Sequence, residues 1–259
     1  MRRAIALIAL CSALACNGPH APSKGESPDL PLYTCHRASG AITIDGKLDD
    51  AAWNSAPWTS DFVDVRGKDY PAPMYRTRCK LLWDDKNLYL AAEMQDPQVW
   101  GTMTEQGSHL FLENNFEAFL DPAGNGQNYW ELEINPLNTT WHLQMSKAYS
   151  QGGGPIPDKA LTGLQTAVEV QGTLNNPTDR DQGWTAEIAI PWKSLTGDGQ
   201  APRDGAQWRM LLCRIEWPLE VSNGKYQKVL TGEKYWAWTP TGAINYHAPE
   251  KYGRLEFVK

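Results

Sequence analysis

The 259-residue sequence predicts an all-β fold: an antiparallel two-sheet β-sandwich, jelly-roll-like, with little helix. Three observations carry this expectation. Several runs alternate with period two, short apolar runs are separated by Gly, Pro and Asn turns, and segments that read as helix are scarce. In chain order, Asp49-Asp50-Ala51-Ala52-Trp53 suits one helical turn capped by an acid. Residues 75–81 alternate, which sends one set of side chains inward and the other outward. Leu81-Leu82-Trp83 and Leu88-Tyr89-Leu90-Ala91-Ala92, on either side of the polar Asp84-Asp85-Lys86-Asn87, read as a hairpin. Strands are expected at 115–120, 129–135 and 166–170, and again in the alternating Trp184-Thr185-Ala186-Glu187-Ile188-Ala189-Ile190. Pro191 then opens a second short helical turn through Leu195, and strands follow at 208–216 and 254–258. The longest loops fall at 146–161 and 172–183, the positions on a rigid sandwich where binding residues collect.

The N-terminus predicts export. Arg2-Arg3 forms a charged region, Ala4 to Leu10 is apolar, and Ser12-Ala13-Leu14-Ala15-Cys16 places small residues before a cysteine. This resembles a bacterial lipoprotein signal, with residues 1–16 as the signal region and Cys16 as the lipidated residue; an ordinary secretory peptide cut nearby is the alternative. Residues 17–39, rich in Pro, Ser and Gly at their start, read as a flexible tether and lead-in, and residues 40–259 as a single domain. The expected location is the outer membrane or cell surface, with membrane contact through the lipid alone. A formal net charge of -6 argues against nucleic acid as a partner. Cys35, Cys79 and Cys213 lack the paired spacing of a zinc site and leave room for one disulfide plus one free thiol.

Twelve Trp against five Phe, and a tail running Tyr235-Trp236-Ala237-Trp238 to Asn245-Tyr246-His247 and Tyr252-Gly253, suit a sugar. A pyranose has C–H faces for rings to stack on and a rim of hydroxyls for Asn, Glu or His. A second pattern is polar. On residues 129–135, Glu131, Glu133 and Asn135 share one face and Trp130, Leu132 and Ile134 the other, while Asn115 and Glu117 repeat the pattern on a neighbouring strand. Three polar groups in a row are too many to bury unpaired, so that face is read as solvent or a polar cleft.

Four motifs then stand in order: Ile44-Asp45-Gly46-Lys47-Leu48-Asp49-Asp50-Ala51-Ala52-Trp53, Leu82-Trp83-Asp84-Asp85-Lys86-Asn87-Leu88-Tyr89-Leu90, Phe116-Glu117-Ala118-Phe119-Leu120-Asp121 and Pro249-Glu250-Lys251-Tyr252-Gly253. This series resembles the family 9 carbohydrate-binding module of the DOMON-like superfamily, from about residue 40 to the end. The resemblance implies a two-sheet sandwich, calcium in some members, and a shallow non-catalytic site for sugars of polysaccharides, working beside glycan-degrading enzymes. It places the family's strand Glu on Glu117, its strand Asn on Asn135, and its two clamp rings on Phe111 and Tyr246, with Asn245 and His247 beside the second. Glu133 stands where the family carries a basic residue.

Two other functions compete. A glycoside hydrolase needs paired carboxyls, for which Glu117, Glu131 and Glu133 are available, although Glu131 and Glu133 are expected to be exposed with ordinary pKa values. A haem-binding relative would need an axial pair from Met103, His109, His142 and Met145. Calcium is weighed separately as a cofactor, with Asp84, Asp85, Asp96, Asp121 and Asn125 as oxygen-bearing turn residues; no ligand set is assigned.

Overall fold

The computed structural model describes residues 30–259. The signal region, Cys16 and the tether through residue 29 lie outside the described residues. The described residues form fourteen strands: β1 (Leu32–Arg37), β2 (Val63–Asp64), β3 (Thr77–Trp83), β4 (Asn87–Gln95), β5 (Asn115–Asp121), β6 (Gln127–Ile134), β7 (Thr140–Lys147), β8 (Gln165–Gln171), β9 (Gly183–Pro191), β10 (Gln207–Glu216), β11 (Leu219–Ser222), β12 (Lys225–Lys228), β13 (Lys234–Ala237) and β14 (Gly253–Val258). One four-residue helix, α1 (Trp192–Leu195), and single 3₁₀ turns complete the described chain.

Hydrogen bonds run along β7-β6-β5-β10-β14-β1-β3-β4-β9-β8, with β13 branching from β10 and β2 from β13, while β11 and β12 form a separate hairpin. The path folds into two layers because each half is apolar on its inner face. Phe116, Leu120, Trp130, Leu132, Met210 and Leu212 from one layer share a core with Leu81, Trp83, Leu90, Trp184 and Ile188 from the other. Edge-to-face rings lock it: Trp83 lies 6.0 Å from Phe257 at 88°. Such pairs contribute about 0.5–1.5 kcal/mol beyond their burial.

The sandwich is not purely antiparallel. Strand β1 runs parallel to both β14 and β3 and joins the layers, with Tyr33 and Cys35 buried in the core. Residues 32–37 are therefore part of the domain, which begins before the expected boundary at residue 40. The three described cysteines are buried and free, so no disulfide forms among them. Cys35 and Cys79 lie in the main core, the usual setting of a packing cysteine, while the Cys213 thiol faces Glu117, 3.8 Å from its Oε2.

The motif at residues 44–53 clasps the outer face of β9. The Trp53 indole N–H donates to Glu187 Oε1 at 2.8 Å, and the Asp45 and Gly46 amides donate to Glu187 Oε2, each at 3.0 Å. Asp50 does not cap the helical turn; its carboxylate accepts from the Thr43 amide at 2.6 Å. The tail differs from a platform of loop tryptophans. Residues 234–237 form β13, and Trp236 and Trp238 are buried in the main core. Glycine at 253 is what allows Trp238 to approach β14 closely, since a Cβ there would come within 2.6 Å of the ring.

Candidate functional site

On β5, alternation buries Phe116, Ala118 and Leu120 between the layers and turns Glu117 and Phe119 to the opposite face; on β6 the same rule turns out Tyr129, Glu131 and Glu133. Register decides which of these meet. Glu117 stands opposite Glu133 and Phe119 opposite Glu131, while Cys213 on β10 flanks Glu117 and Trp141 on β7 flanks Glu133. Residues from the turns at 110–112 and 149–151 and from the tail at 244–247 wall this patch, leaving a cavity of about 340 Å³.

Three carboxylates share this cavity. Glu117, Glu131 and Glu133 are 2%, 4% and 1% exposed, and one oxygen from each lies within 4.8 Å of the others. The Asn115 amide holds two of them, donating to Glu117 Oε1 at 2.9 Å and to Glu133 Oε2 at 3.3 Å. Glu131 Oε2 is buried without a hydrogen-bond partner. Burial pushes Glu117 up to about 7, and burial together with the Glu117 charge pushes Glu131 up to about 8. Glu133 rises well above the ordinary range for the same reasons, with the charges of both other glutamates acting on it. The polar face is thus an enclosed cleft. The expectation that Glu131 and Glu133 are exposed carboxylates with ordinary pKa values is overturned, because the tail and turns cover them.

The walls are aromatic. Phe111, 39% exposed at the rim, lies 5.6 Å from the His109 ring, nearly parallel to it, and 5.8 Å from Trp141. Opposite them His247 packs edge-on to Tyr149 at 4.7 Å, and its Nδ1 lies 2.8 Å from the Tyr129 hydroxyl. Burial lowers His247 to about 4, so the imidazole is neutral at pH 7. No residue lining the cavity is Lys or Arg.

The residues expected from sequence divide into two groups. Phe111, Glu117, Glu133, Asn245, Tyr246 and His247 all line the cavity. Asn245 also accepts the His247 amide at 2.9 Å, which shapes the tail wall. Tyr246, however, is only 7% exposed, its hydroxyl donates to the Arg214 carbonyl at 2.9 Å, and its ring packs on Phe119 and Tyr235. It is a core residue that shows one edge to the cavity rather than a free clamp ring. Asn135 is outside the lining. Its amide donates to the Met103 carbonyl and to Glu113, and its carbonyl oxygen accepts from the Leu137 and Thr139 amides, so its capacity is spent on holding a loop. Trp141 and Tyr149 line the cavity without having been expected there, and Tyr235 joins them from the aromatic tail. The alternation of Trp141, Leu143 and Met145 carried the signal for the first of these.

The residues considered for the haem alternative are engaged in packing or set apart. Met145 is buried in the outer cluster, His142 lies beside it in sequence separation of odd number and so on the opposite face of β7, and His109 packs on Phe111 and Trp141. The acids considered for calcium are engaged separately. Asp84 accepts the Lys86 and Asn87 amides, Asp121 the Gly124 and Gly126 amides, Asp85 pairs with Arg37, and Asp96 with Arg214. Among the described residues, the only acid cluster with metal-ligand spacing is Glu117, Glu131 and Glu133.

A two-layer sandwich with a ring-walled pocket on the outer face of one sheet is the architecture of a β-sandwich binding module. The chain belongs to the family described as carbohydrate family 9 binding domain-like, which matches residues 44–259. Among curated relatives, it is 27% identical over 150 residues to endo-1,4-beta-xylanase C of Paenibacillus barcinonensis, covering 56% of this chain and 13% of that enzyme. It is 24% identical over 203 residues to endo-1,4-beta-xylanase A of Thermoanaerobacterium saccharolyticum, covering 78% of this chain and 14% of that enzyme. The chain therefore spans only a small part of the length of the curated relatives it matches. Among solved structures, a carbohydrate binding module family 9 from Caldicellulosiruptor kristjanssonii in complex with cellotriose aligns with a TM-score of 0.58 at 16% identity, covering 88% of this chain and 93% of that one. The same organism's module in complex with glucose aligns at 0.56 and 16%, covering 86% and 95%.

Proposed function

We propose that this module binds a sugar unit of an oligo- or polysaccharide in the pocket between Phe111, Trp141 and the tail wall at 245–247, without catalysing its cleavage. The observation that carries the reading is the pairing of aromatic walls with buried hydrogen-bonding carboxyls on one face of a family 9 sandwich. Rings offer stacking area to the C–H faces of a pyranose, and Glu117, Glu133 and Asn245 offer partners to its hydroxyls. The complexes of the Caldicellulosiruptor module with glucose and cellotriose make those sugars the first probes. The lipoprotein-like N-terminus supports attachment to a bacterial surface through Cys16, where the module would serve glycan-degrading enzymes.

An acid/base role for the same carboxyls is the second reading, and their enclosure and raised pKa values favour it. Calorimetric titration of the soluble fragment 30–259 with a glycan panel, alongside a reducing-sugar assay, separates the two. Saturable binding with no release of reducing ends is the outcome expected. Sustained release by the wild type, lost in Glu117→Gln, replaces binding with hydrolysis.

A further inference from the structure

We infer that the pocket selects a cationic amino sugar, a glucosamine unit with a free ammonium group, over neutral sugars. This rests on the carbohydrate-binding reading and names its ligand. The floor of the pocket is three glutamates from two adjacent strands, with one oxygen of each within 4.8 Å of the others. A primary ammonium donates three hydrogen bonds. At charge-assisted lengths of about 2.7–2.9 Å, tetrahedral geometry places its three acceptors about 4.4–4.7 Å apart, which fits that spacing.

An independent observation points to a missing donor. Glu131 is 4% exposed and lines the pocket, yet its Oε2 has no hydrogen-bond partner. The nearest cationic candidate, His247 Nε2, is 3.7 Å away on a ring that burial keeps neutral. Burial leaves the cluster largely protonated near neutral pH, with Glu131 and Glu133 hydrogen-bonded to each other, so an arriving ammonium takes the place of their protons and satisfies Oε2, an exchange that a neutral hydroxyl cannot make.

The remaining walls suit an organic cation better than a metal ion. Calcium takes six to eight oxygens and magnesium six, whereas beyond the glutamates the oxygens of this lining are those of Asn245 and the tyrosine hydroxyls, set among the apolar Phe111, Phe119, Trp141 and Ile215. Ring faces attract an ammonium and pack on the sugar's C–H groups.

The test compares three β-1,4-linked tetramers that differ only at C2: cellotetraose with a hydroxyl, the glucosamine tetramer with an ammonium, and its N-acetylated counterpart. Titrated into the full chain at pH 6 in physiological salt, the glucosamine tetramer is expected to bind at least tenfold tighter than either neutral tetramer. Glu131→Gln and Glu133→Gln, which keep side-chain shape, should remove that preference while leaving the melting temperature equal or higher. Equal affinity for cellotetraose and the glucosamine tetramer overturns the inference and leaves carbohydrate binding standing. No binding to any of the three overturns both. A preference that survives in both variants puts the charge recognition elsewhere on this acidic protein, and sugar binding that appears only with added calcium and vanishes with chelator assigns the three glutamates to a metal; either result also overturns the inference.

Discussion

Glu117 and Glu133 stand directly opposite each other on β5 and β6, and the single side-chain amide of Asn115 reaches both carboxylates. Two like charges in a cross-strand pair destabilise a sheet unless a donor or a proton intervenes. Here both do, through the Asn115 amide and through burial that raises both carboxyls, Glu117 to about 7 and Glu133 well above the ordinary range, so that the pair keeps a proton at neutral pH.

Stability is expected to fall as pH rises from 6.5 to 8.5. In the unfolded chain these carboxyls lose their protons in the ordinary carboxylate range, whereas in the fold Glu117 holds its proton to about 7 and Glu131 and Glu216 to about 8. Between those limits the folded state binds more protons, so rising pH favours unfolding. His247 has the opposite sign, since its folded pKa of about 4 lies below the unfolded value, but it titrates below this window. A drop in melting temperature on the order of 5 °C is expected, reduced in Glu117→Gln/Glu133→Gln. Differential scanning calorimetry at matched ionic strength measures it; a flat or rising profile contradicts the enclosed carboxyls.

Tyr246→Ala should destabilise the domain severely, by about 3–5 kcal/mol, because a fully packed ring and its hydroxyl are both removed. Tyr246→Phe should cost about 1–2 kcal/mol through the hydrogen bond to the Arg214 carbonyl. Urea denaturation distinguishes these from the small effect expected of a surface ring.

Phe111→Ala and Trp141→Ala are expected to weaken sugar binding by about 1–3 kcal/mol, because the pair forms one wall of the pocket. The melting temperature of Phe111→Ala should change little, since that ring sits at the exposed rim. Unaltered affinity in both variants would move the binding site away from this wall.

Asn135→Ala should destabilise by about 2–3 kcal/mol while leaving affinity for sugar within a factor of a few. Four hydrogen bonds to Met103, Glu113, Leu137 and Thr139 vanish with its side chain, and Glu113 is left short of a donor deep in the loop. Calorimetric affinity and melting temperature, measured on the same sample, test both halves.

Mass spectrometry of the mature protein should find a lipid-modified peptide beginning at Cys16, as the Arg2-Arg3 charge, short apolar run and Ala15-Cys16 junction lead one to expect. An unmodified N-terminus cut elsewhere would remove the anchor while leaving export in place.

Strands β3 to β6 and β8 to β10 were legible in the sequence because their side chains obey a period of two with polar turns between them. Trp184 to Ile190 on β9 shows this most clearly. Strand β1 was hidden because only Tyr33 and Cys35 of its six residues enter the core. Strand β13 was hidden for the opposite reason, since Tyr235-Trp236-Ala237 is apolar throughout and carries no period at all.

The sequence by itself determined which residues share a face: Glu117 with Asn115, Glu131 with Glu133, and the motif series that marks the family. Whether that face meets water or a pocket was decided only by tertiary structure. Register brings Glu117 opposite Glu133, and residues 244–247, more than a hundred positions away, wall the same cavity and desolvate its carboxyls. The same long-range packing buries Tyr246 and spends Asn135 on its own loop. Alternation is a local property of the backbone, whereas enclosure depends on segments distant in the chain, and that is why faces could be read from the sequence and environments could not.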